Sequence, residues 1–405
     1  MSRVFSSAVL CWLVVAAPAS GQVVLTLLET MARAREQAGG VLIARARIAE
    51  AEAATVDASA RFRDNPVIDG AAGPRTGNGQ RATDVELGVS QQFETGGQRH
   101  ARLGAARAGV ERQRAEVLRS ARDVVVEAAS AFLDGLAAME RLQVAEGAEA
   151  IARELLNATE RRFALGDIAA IDVNLARIDA ARSTAALVAA RADLTSSAGA
   201  LRALLRIPPT EPIELRGSLE LPPAPPVERL EASIDQRPEF AVFAAELREG
   251  EAQVQLARAL TKPDLGFRIG YEREEGNSIV LGGLTITLPA FQQGQGVRAA
   301  GLAKANRARI EAEVWRLRAV ADLRTAYAVY EQRSTLAAAL QRDAAPSLLD
   351  NENLARRSYE AGEMNVMDFL LIRRDAVETR MTIVDRRLDA ARSRFTVDVI
   401  AGVVP

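Results

Sequence analysis

Residues 359–369 read YEAGEMNVMDF, and residues 163–173 read FALGDIAAIDV. Each stretch opens on an aromatic residue, has a glycine three residues on, then an acid and an apolar run, and an aspartate six residues after the glycine. Glycine is the residue that reverses a chain where a left-handed backbone is needed. Both stretches lie between long alanine-rich segments, so each reads as a turn between two helices. A turn this particular, written twice, points to a chain that repeats itself.

Other landmarks keep the same interval. Pro263 follows Pro66 by 197 residues (263 − 66), and Gly294 follows Gly97 by 197 (294 − 97). The turn glycines Gly166 and Gly362 differ by 196 (362 − 166). One offset shared by separate landmarks marks a tandem duplication, with a period far longer than that of solenoid repeats. The first repeat is assigned to residues 22–206 and the second to 228–405. Between them, residues 207–227 (IPPTEPIELRGSLELPPAPPV) hold seven of the 15 prolines, which suits an extended connector. The second repeat restarts at DQRPE (235–239), where Pro238 fits a first helical position with Glu239 just behind it.

Each repeat has the same predicted order. A moderate helix (about 24–62 and 227–260) leads into a β-hairpin (65–92 and 263–288). A very long helix follows (about 97–165 and 294–361), then the glycine turn, then a second moderate helix (about 167–206 and 363–400). A helix of that length reaches roughly 100 Å, more than a globule of this size needs. Along the first long helix, Val117, Ala121, Val124, Ala128, Ala131, Gly135, Ala138, Leu142 and Ala145 form a heptad seam of mostly small residues. Leu118, Val125, Ala129, Phe132, Leu136 and Met139 form a second seam one residue round, interrupted by Arg122. Two seams imply helical neighbours on two sides.

The hairpins alternate. Leu265, Phe267, Ile269 and Tyr271 fall on one face of PDLGFRIGYE (263–272), with Asp264, Gly266, Arg268 and Gly270 on the other. Val85, Leu87 and Val89 alternate with Asp84, Glu86, Gly88 and Ser90 in the first repeat. The segments 73–81 and 273–277 read as polar loops. Strands of about 9–11 residues with one apolar and one polar face suit an outer-membrane barrel, and Phe62, Phe93 and Phe291 at the hairpin bases suit an interfacial belt. A half-buried soluble sheet fits the same alternation. Four strands cannot close a barrel, so membrane insertion would require several chains; three would supply twelve strands.

Composition narrows the classes. Only 4% of residues are aromatic and the formal net charge is −2, with no basic run interleaved with aromatics, so a nucleic-acid role has no support. Residues 1–21 carry Arg3, an apolar run from Ala8 to Ala17 and small residues to Gly21, the three parts of a secretory signal. The single cysteine, Cys11, lies inside that run, which leaves the mature chain without thiol chemistry or cysteine–metal sites. With one histidine, His100, and no phosphate-binding glycine loop, no catalytic residue, resident metal or cofactor is assigned. Met364 and Met367, beside one turn, read as packing or partner contact.

The duplicated plan, the FETGGQ segment (93–98), the RPEF restart (237–240) and the paired turns FALGDIAAIDVNLAR (163–177) and YEAGEMNVMDFLLIRR (359–374) together resemble the TolC family of outer-membrane efflux proteins. The economical length is similar to its heavy-metal, CzcC-like branch. The resemblance implies a mainly α protein with a membrane β-barrel portion: a homotrimer whose 12-stranded barrel in outer-membrane lipid sits above a long α-helical periplasmic tunnel. It also implies an exit duct working with a periplasmic adaptor and an inner-membrane transporter, expected to be of the RND type. Phe163, Gly166, Asp167, Tyr359, Gly362 and Glu363 would then form the adaptor-docking tips. Asp172 and Asp368 would stand inside the tunnel mouth as rings of carboxylates, or merely favour the positive ends of the helices behind them. Asp167 and Glu363, nearer the turns, are expected to be the helix-start acids. Leu175 and Leu371 stand where family members often carry a second aspartate. Type I protein secretion and an exported coiled-coil scaffold remain the alternative functions.

Overall fold

The computed structural model describes residues 23–77, 80–274 and 277–404. The expected signal segment, 1–21, and the residues at the two hairpin ends, 78–79 and 275–276, lie outside them. The first repeat opens on a short strand rather than a helix: β1 (Val23–Leu25) precedes α1 (Leu27–Gln37) and α2 (Gly39–Ser59). A full capping box starts α1. Thr26 Oγ1 accepts the Glu29 amide at 3.2 Å, and the Glu29 carboxylate accepts the Thr26 amide at 2.8 Å. The chain kinks at Ala38, which is extended (ψ 143°) ahead of Gly39 and Gly40.

The hairpin β2 (Val67–Gly77) and β3 (Gln80–Phe93) follows, then α3, which runs unbroken from Gln98 to Ala164, 67 residues or roughly 100 Å. The chain returns as α4 (Ala170–Leu205). Within the proline-rich linker, β4 (Ile213–Leu215) pairs in parallel with β1, and Val23 donates to the Pro212 carbonyl at 3.0 Å. This two-stranded sheet was not legible in sequence, because three residues are too few to show a period. It lies against the middle of α3, where a Cβ at Gly135 would come within 2.5 Å of Leu215 Cδ1. Glycine is what allows the sheet to approach that helix.

The second repeat comprises α5 (Val227–Glu231), α6 (Pro238–Ala259), the hairpin β5 (Asp264–Glu274) and β6 (Asn277–Thr287), then α7 (Gln295–Ala339). The long helix expected over 294–361 is not uniform. A π turn over Leu340–Ala344 separates α7 from α8 (Ala345–Glu360), and Pro346 stands in the first turn of α8. Proline lacks the N–H for the ladder and its ring clashes one turn back, so the wider turn absorbs it. The last helix is α9 (Val366–Ala401).

Both seams on α3 face neighbours, and around its midpoint a third side is covered as well. Phe132, Leu133, Leu136 and Ala137 are all buried, in one core that joins Met31 and Ala34 of α1, Leu201 and Leu205 of α4, Leu215 and Leu219 of the linker, and Leu388, Ala391 and Phe395 of α9. Small residues allow close helix packing at this level, and the linker fills the side that a simple bundle would leave open. Leu118, at the upper end of the second seam, is half exposed.

Candidate docking tips and membrane sheet

At one end of the molecule the two hairpins merge into one antiparallel sheet in the order β2-β3-β5-β6. Its register places Ile68 opposite Val89, Val89 opposite Ile269, Leu87 opposite Tyr271, Tyr271 opposite Val280, and Phe267 opposite Leu284. These side chains therefore share one face, and it is exposed: Leu284 is 81% accessible and Val280 73%. Eleven-residue strands tilted by about 45° span an apolar band of roughly 25 Å. Phe62 meets Phe93 edge-on at 5.5 Å at the base of the first hairpin, and Phe291 is almost fully exposed at the base of the second. The stretches 73–81 and 273–277, expected as loops, belong largely to the ladder, which continues to Gly77↔Gln80 and Glu274↔Asn277.

The opposite face is charged and tied across strands. Arg268 of β5 reaches Asp69 of β2 at 2.6 Å and Glu86 of β3 at 2.8 Å. Arg75 of β2 pairs with Asp84 of β3 at 2.9 Å and with Glu274 of β5. Each guanidinium thus spans three strands, as expected of a polar face shielded from lipid. Strands β2 and β6 each pair on one side only among the described residues. The helices continue this pattern below the sheet. Exposed apolar side chains run down α2 and α4 (Ile43, Val56, Ile178, Val188) and down α7 and α8 (Val314, Leu317, Leu336, Leu354).

The two glycine turns lie together at the far end. Gly166 has φ 81° and Gly362 φ 78°, both left-handed. The Gly166 amide donates to Phe163 O at 3.0 Å and the Asp167 amide to Arg162 O at 3.0 Å; Gly362 and Glu363 donate to Tyr359 O and Ser358 O at 3.1 and 2.9 Å. Both are Schellman stops, in which glycine at the first residue past the helix lets two amides satisfy orphan carbonyls. One apolar cluster joins the turns: Leu155 and Ala176 from the first repeat pack with Ala355, Tyr359, Val366 and Phe369 from the second. Above it the buried Arg373 pairs with Asp179 and donates to Ala148 O at 3.0 Å and Ser183 Oγ at 2.9 Å, joining α9 to α4 and α3. Sequence reasoning missed Arg373; its only sign was a charged residue on the apolar side of α9.

The aromatic residues that looked equivalent are placed differently. Phe163 is 47% exposed, whereas Tyr359 is buried, stacked on Phe369 at 5.2 Å with the Arg162 guanidinium 5.7 Å from its ring centre. The helix-start acids are the pair left open in the sequence, not the pair nearer the turns. Asp167 and Glu363, expected to start helices, belong to the preceding Schellman stops, because α4 and α9 do not begin until Ala170 and Val366. The helix-start acids are Asp172 and Asp368, each in the first turn. Asp172 Oδ2 accepts the Ala169 amide at 3.2 Å. The Asp368 amide donates to Asn365 Oδ1 at 2.8 Å, and the Asp368 carboxylate accepts Asn365 Nδ2 at 2.9 Å. Capping accounts for both acids locally.

A duplicated helical pair ending in two glycine stops, crowned by a sheet with one lipid-like face, is an arrangement that comparison with known proteins recognises. The family model of outer membrane efflux proteins matches residues 31–205 and 230–403, one segment for each repeat. The chain belongs to this family. It is 28% identical over 313 residues to the cobalt-zinc-cadmium resistance protein CzcC of Cupriavidus metallidurans, covering 76% of this chain and 75% of that one. It is likewise 28% identical over 291 residues to the nickel-cobalt-cadmium resistance protein NccC of Alcaligenes xylosoxydans xylosoxydans, covering 71% of this chain and 65% of the relative. The fold is also similar to the crystal structure of the Campylobacter jejuni CmeC outer membrane channel, with a TM-score of 0.73 at 18% identity, covering 93% of this chain and 85% of the other. This outer membrane efflux protein is therefore a channel component of the outer membrane, with its long helices extending from the sheet. Among the described residues no helix is long and apolar enough to cross a membrane, and no group of three or more His, Cys, Asp or Glu side chains could hold a metal ion.

Proposed function

We propose that this protein is the passive exit duct of a tripartite efflux system for metal cations, assembled as a homotrimer. The observation that carries the proposal is the pair of open edges. Strand β2 with α2 and α4 forms one unpartnered side of the protomer, and β6 with α7 and α8 forms the other. Two different edges meet head to tail, so they close a ring when the rotation permits. An open sheet edge is not tolerated in hydrocarbon, and three copies supply twelve strands, enough to surround a lumen. The apolar face then meets lipid and the arginine-clasped face meets water. The helices continue below as a periplasmic tunnel. Metal cargo is supported by the names of both resistance relatives. Energy comes from an inner-membrane transporter of the RND type through a periplasmic adaptor.

The tips are the adaptor's docking rim. A Cβ added at Gly166 or Gly362 meets nothing within 4 Å, so a side chain there projects outward into the space a partner needs. Phe163, Asp167 and Glu363 present apolar and acidic contacts, while Tyr359 holds the second tip from beneath. Asp172 and Asp368 stand just behind the rim at the tunnel mouth. The test is the double variant Gly166→Trp with Gly362→Trp. Left-handed tryptophan costs about 1–2 kcal/mol per site, too little to unfold long helices with open space around the turns. Membrane insertion and ring assembly should persist while metal efflux from whole cells is lost. Undiminished efflux would rule out docking at these turns. Recovery of the wild-type protein in the soluble periplasm would rule out the duct itself.

A further inference from the structure

Beneath linker residues 219–221, between α7 and α9, lies a cavity of about 360 Å³. Its walls include Leu219, Leu221, Tyr330, Ala338, Arg387 and Arg394. The Nε of Arg387 is buried with no hydrogen-bond partner. Both arginines are paired within the protomer, Arg387 with Glu140 at 2.7 Å and Arg394 with Asp398, with its Nε donating to the Pro222 carbonyl at 2.8 Å, so the apolar walls are what the cavity offers, and they suit an apolar side chain. We infer that this cavity receives Leu28 of an adjacent copy of this chain.

The core supplies the level. Leu219 and Ala391 line the cavity and also belong to the core that reaches Leu25, Met31 and Ala34 on β1 and α1. Leu25 pairs in register with Leu215, which packs on Gly135 of α3, and Arg387 at the cavity pairs with Glu140 of the same helix, so α1 and the cavity lie at a similar height, the cavity at the α7 side and α1 at the other. On the outer face of α1, Leu28 is 72% exposed while Thr30, Met31 and Ala34 are turned inward. A large aliphatic side chain held rigidly by a capped helix, with none of the described residues over it, is an energetic liability unless covered. The inference rests on the head-to-tail ring proposed above. There the edge carrying β2, α1 and α2 of one copy faces the edge carrying β6 and α7 of the next. At this height the opposed features are the Leu28 face and the cavity. A second copy also explains why the site is half open, since one wall is left for the neighbour.

Disulfide trapping tests this in the full-length chain. Cys11 is the only cysteine, so Cys11→Ser gives a clean background for Leu28→Cys with Ala338→Cys. Oxidised membranes should yield covalent oligomers up to the trimer on non-reducing gels, collapsing to monomer on reduction, and neither single-cysteine variant should do so. A second variant, Leu28→Asp, changes an exposed side chain and leaves the protomer folded. It should weaken ring assembly about tenfold or more in detergent titration. If native mass measurement shows an intact ring but the cysteine pair does not cross-link and Leu28→Asp assembles normally, the docking inference is wrong and the ring stands. If the wild type shows no oligomer, the ring and the inference fail together.

Discussion

Glu239, at the second position of α6, should govern the stability of the junction where the second repeat begins. The side chain is only 6% exposed and lies between two guanidinium groups. It accepts Arg237 Nη2 at 2.8 Å and Arg122 Nη1 at 2.7 Å. Arg122 also donates to Val399 O at 3.2 Å, and the Arg237 guanidinium lies 5.7 Å from the Trp315 ring centre, so three helices and the chain terminus meet here. Glu239→Gln keeps the shape and removes the charge. Breaking a buried pair by deleting one partner costs about 3–5 kcal/mol. The lower end applies, because Val399 O and the Trp315 ring still serve the two arginines. About 3 kcal/mol corresponds to roughly a hundredfold faster exchange. Hydrogen exchange at Ala241–Ala244 and Val397–Ala401, rather than a global melting point, isolates this local opening. Burial opposes ionisation of Glu239, but the hydrogen bonds from Arg237 and from its own amide, with the charges of Arg122 and Arg237, outweigh it and hold the carboxyl below the usual glutamate range. A depressed carboxylate contributes stability that is fully present above the unfolded value and is lost as pH falls through the folded one. Wild type and variant should therefore differ equally at pH 7 and pH 6, and converge in strong acid. Exchange in Glu239→Gln within threefold of wild type at pH 7, or a difference that persists undiminished at pH 2, would refute the reasoning.

Where α6 crosses α7, a Cβ on Gly250 would lie 2.7 Å from the Gly301 carbonyl oxygen, so Gly250→Leu should force the helices apart at a cost of about 1–3 kcal/mol, visible as faster proteolysis below the sheet. Asp172→Ala removes the carboxylate that accepts the Ala169 amide, and should cost about 1 kcal/mol of helix-start stability measured by exchange at residues 170–174, whatever the acid does at the tunnel mouth. Arg373→Met leaves Asp179 without its buried partner and should loosen the tip end by about 3 kcal/mol, with Arg373→Met plus Asp179→Leu recovering much of the loss; no recovery would mean that the ion pair is not the coupling.

Periodicity and repeat spacing by themselves determined most of this protein. The offsets between Pro66 and Pro263 and between Gly97 and Gly294 revealed the duplication, the alternation around Phe267 and Ile269 revealed the hairpins, and Gly166 and Gly362 marked the helix reversals. Such signals are local: they need only a two-residue or a 3.6-residue period, or one residue able to adopt positive φ. Tertiary structure alone decided which of two like residues is exposed. Phe163 and Tyr359 hold matching positions in matching turns, but Tyr359 is buried against Phe369, whose counterpart in the first repeat is Val173, while Phe163 is 47% exposed. The β1–β4 pairing, the partners of Arg373 and the choice of Asp172 over Asp167 as the helix-start acid were likewise settled by contacts far apart in sequence or by a helix that starts three residues later than expected. A duplicated sequence repeats its local preferences, but its two copies pack on each other, and the surroundings of equivalent side chains then need not be equal.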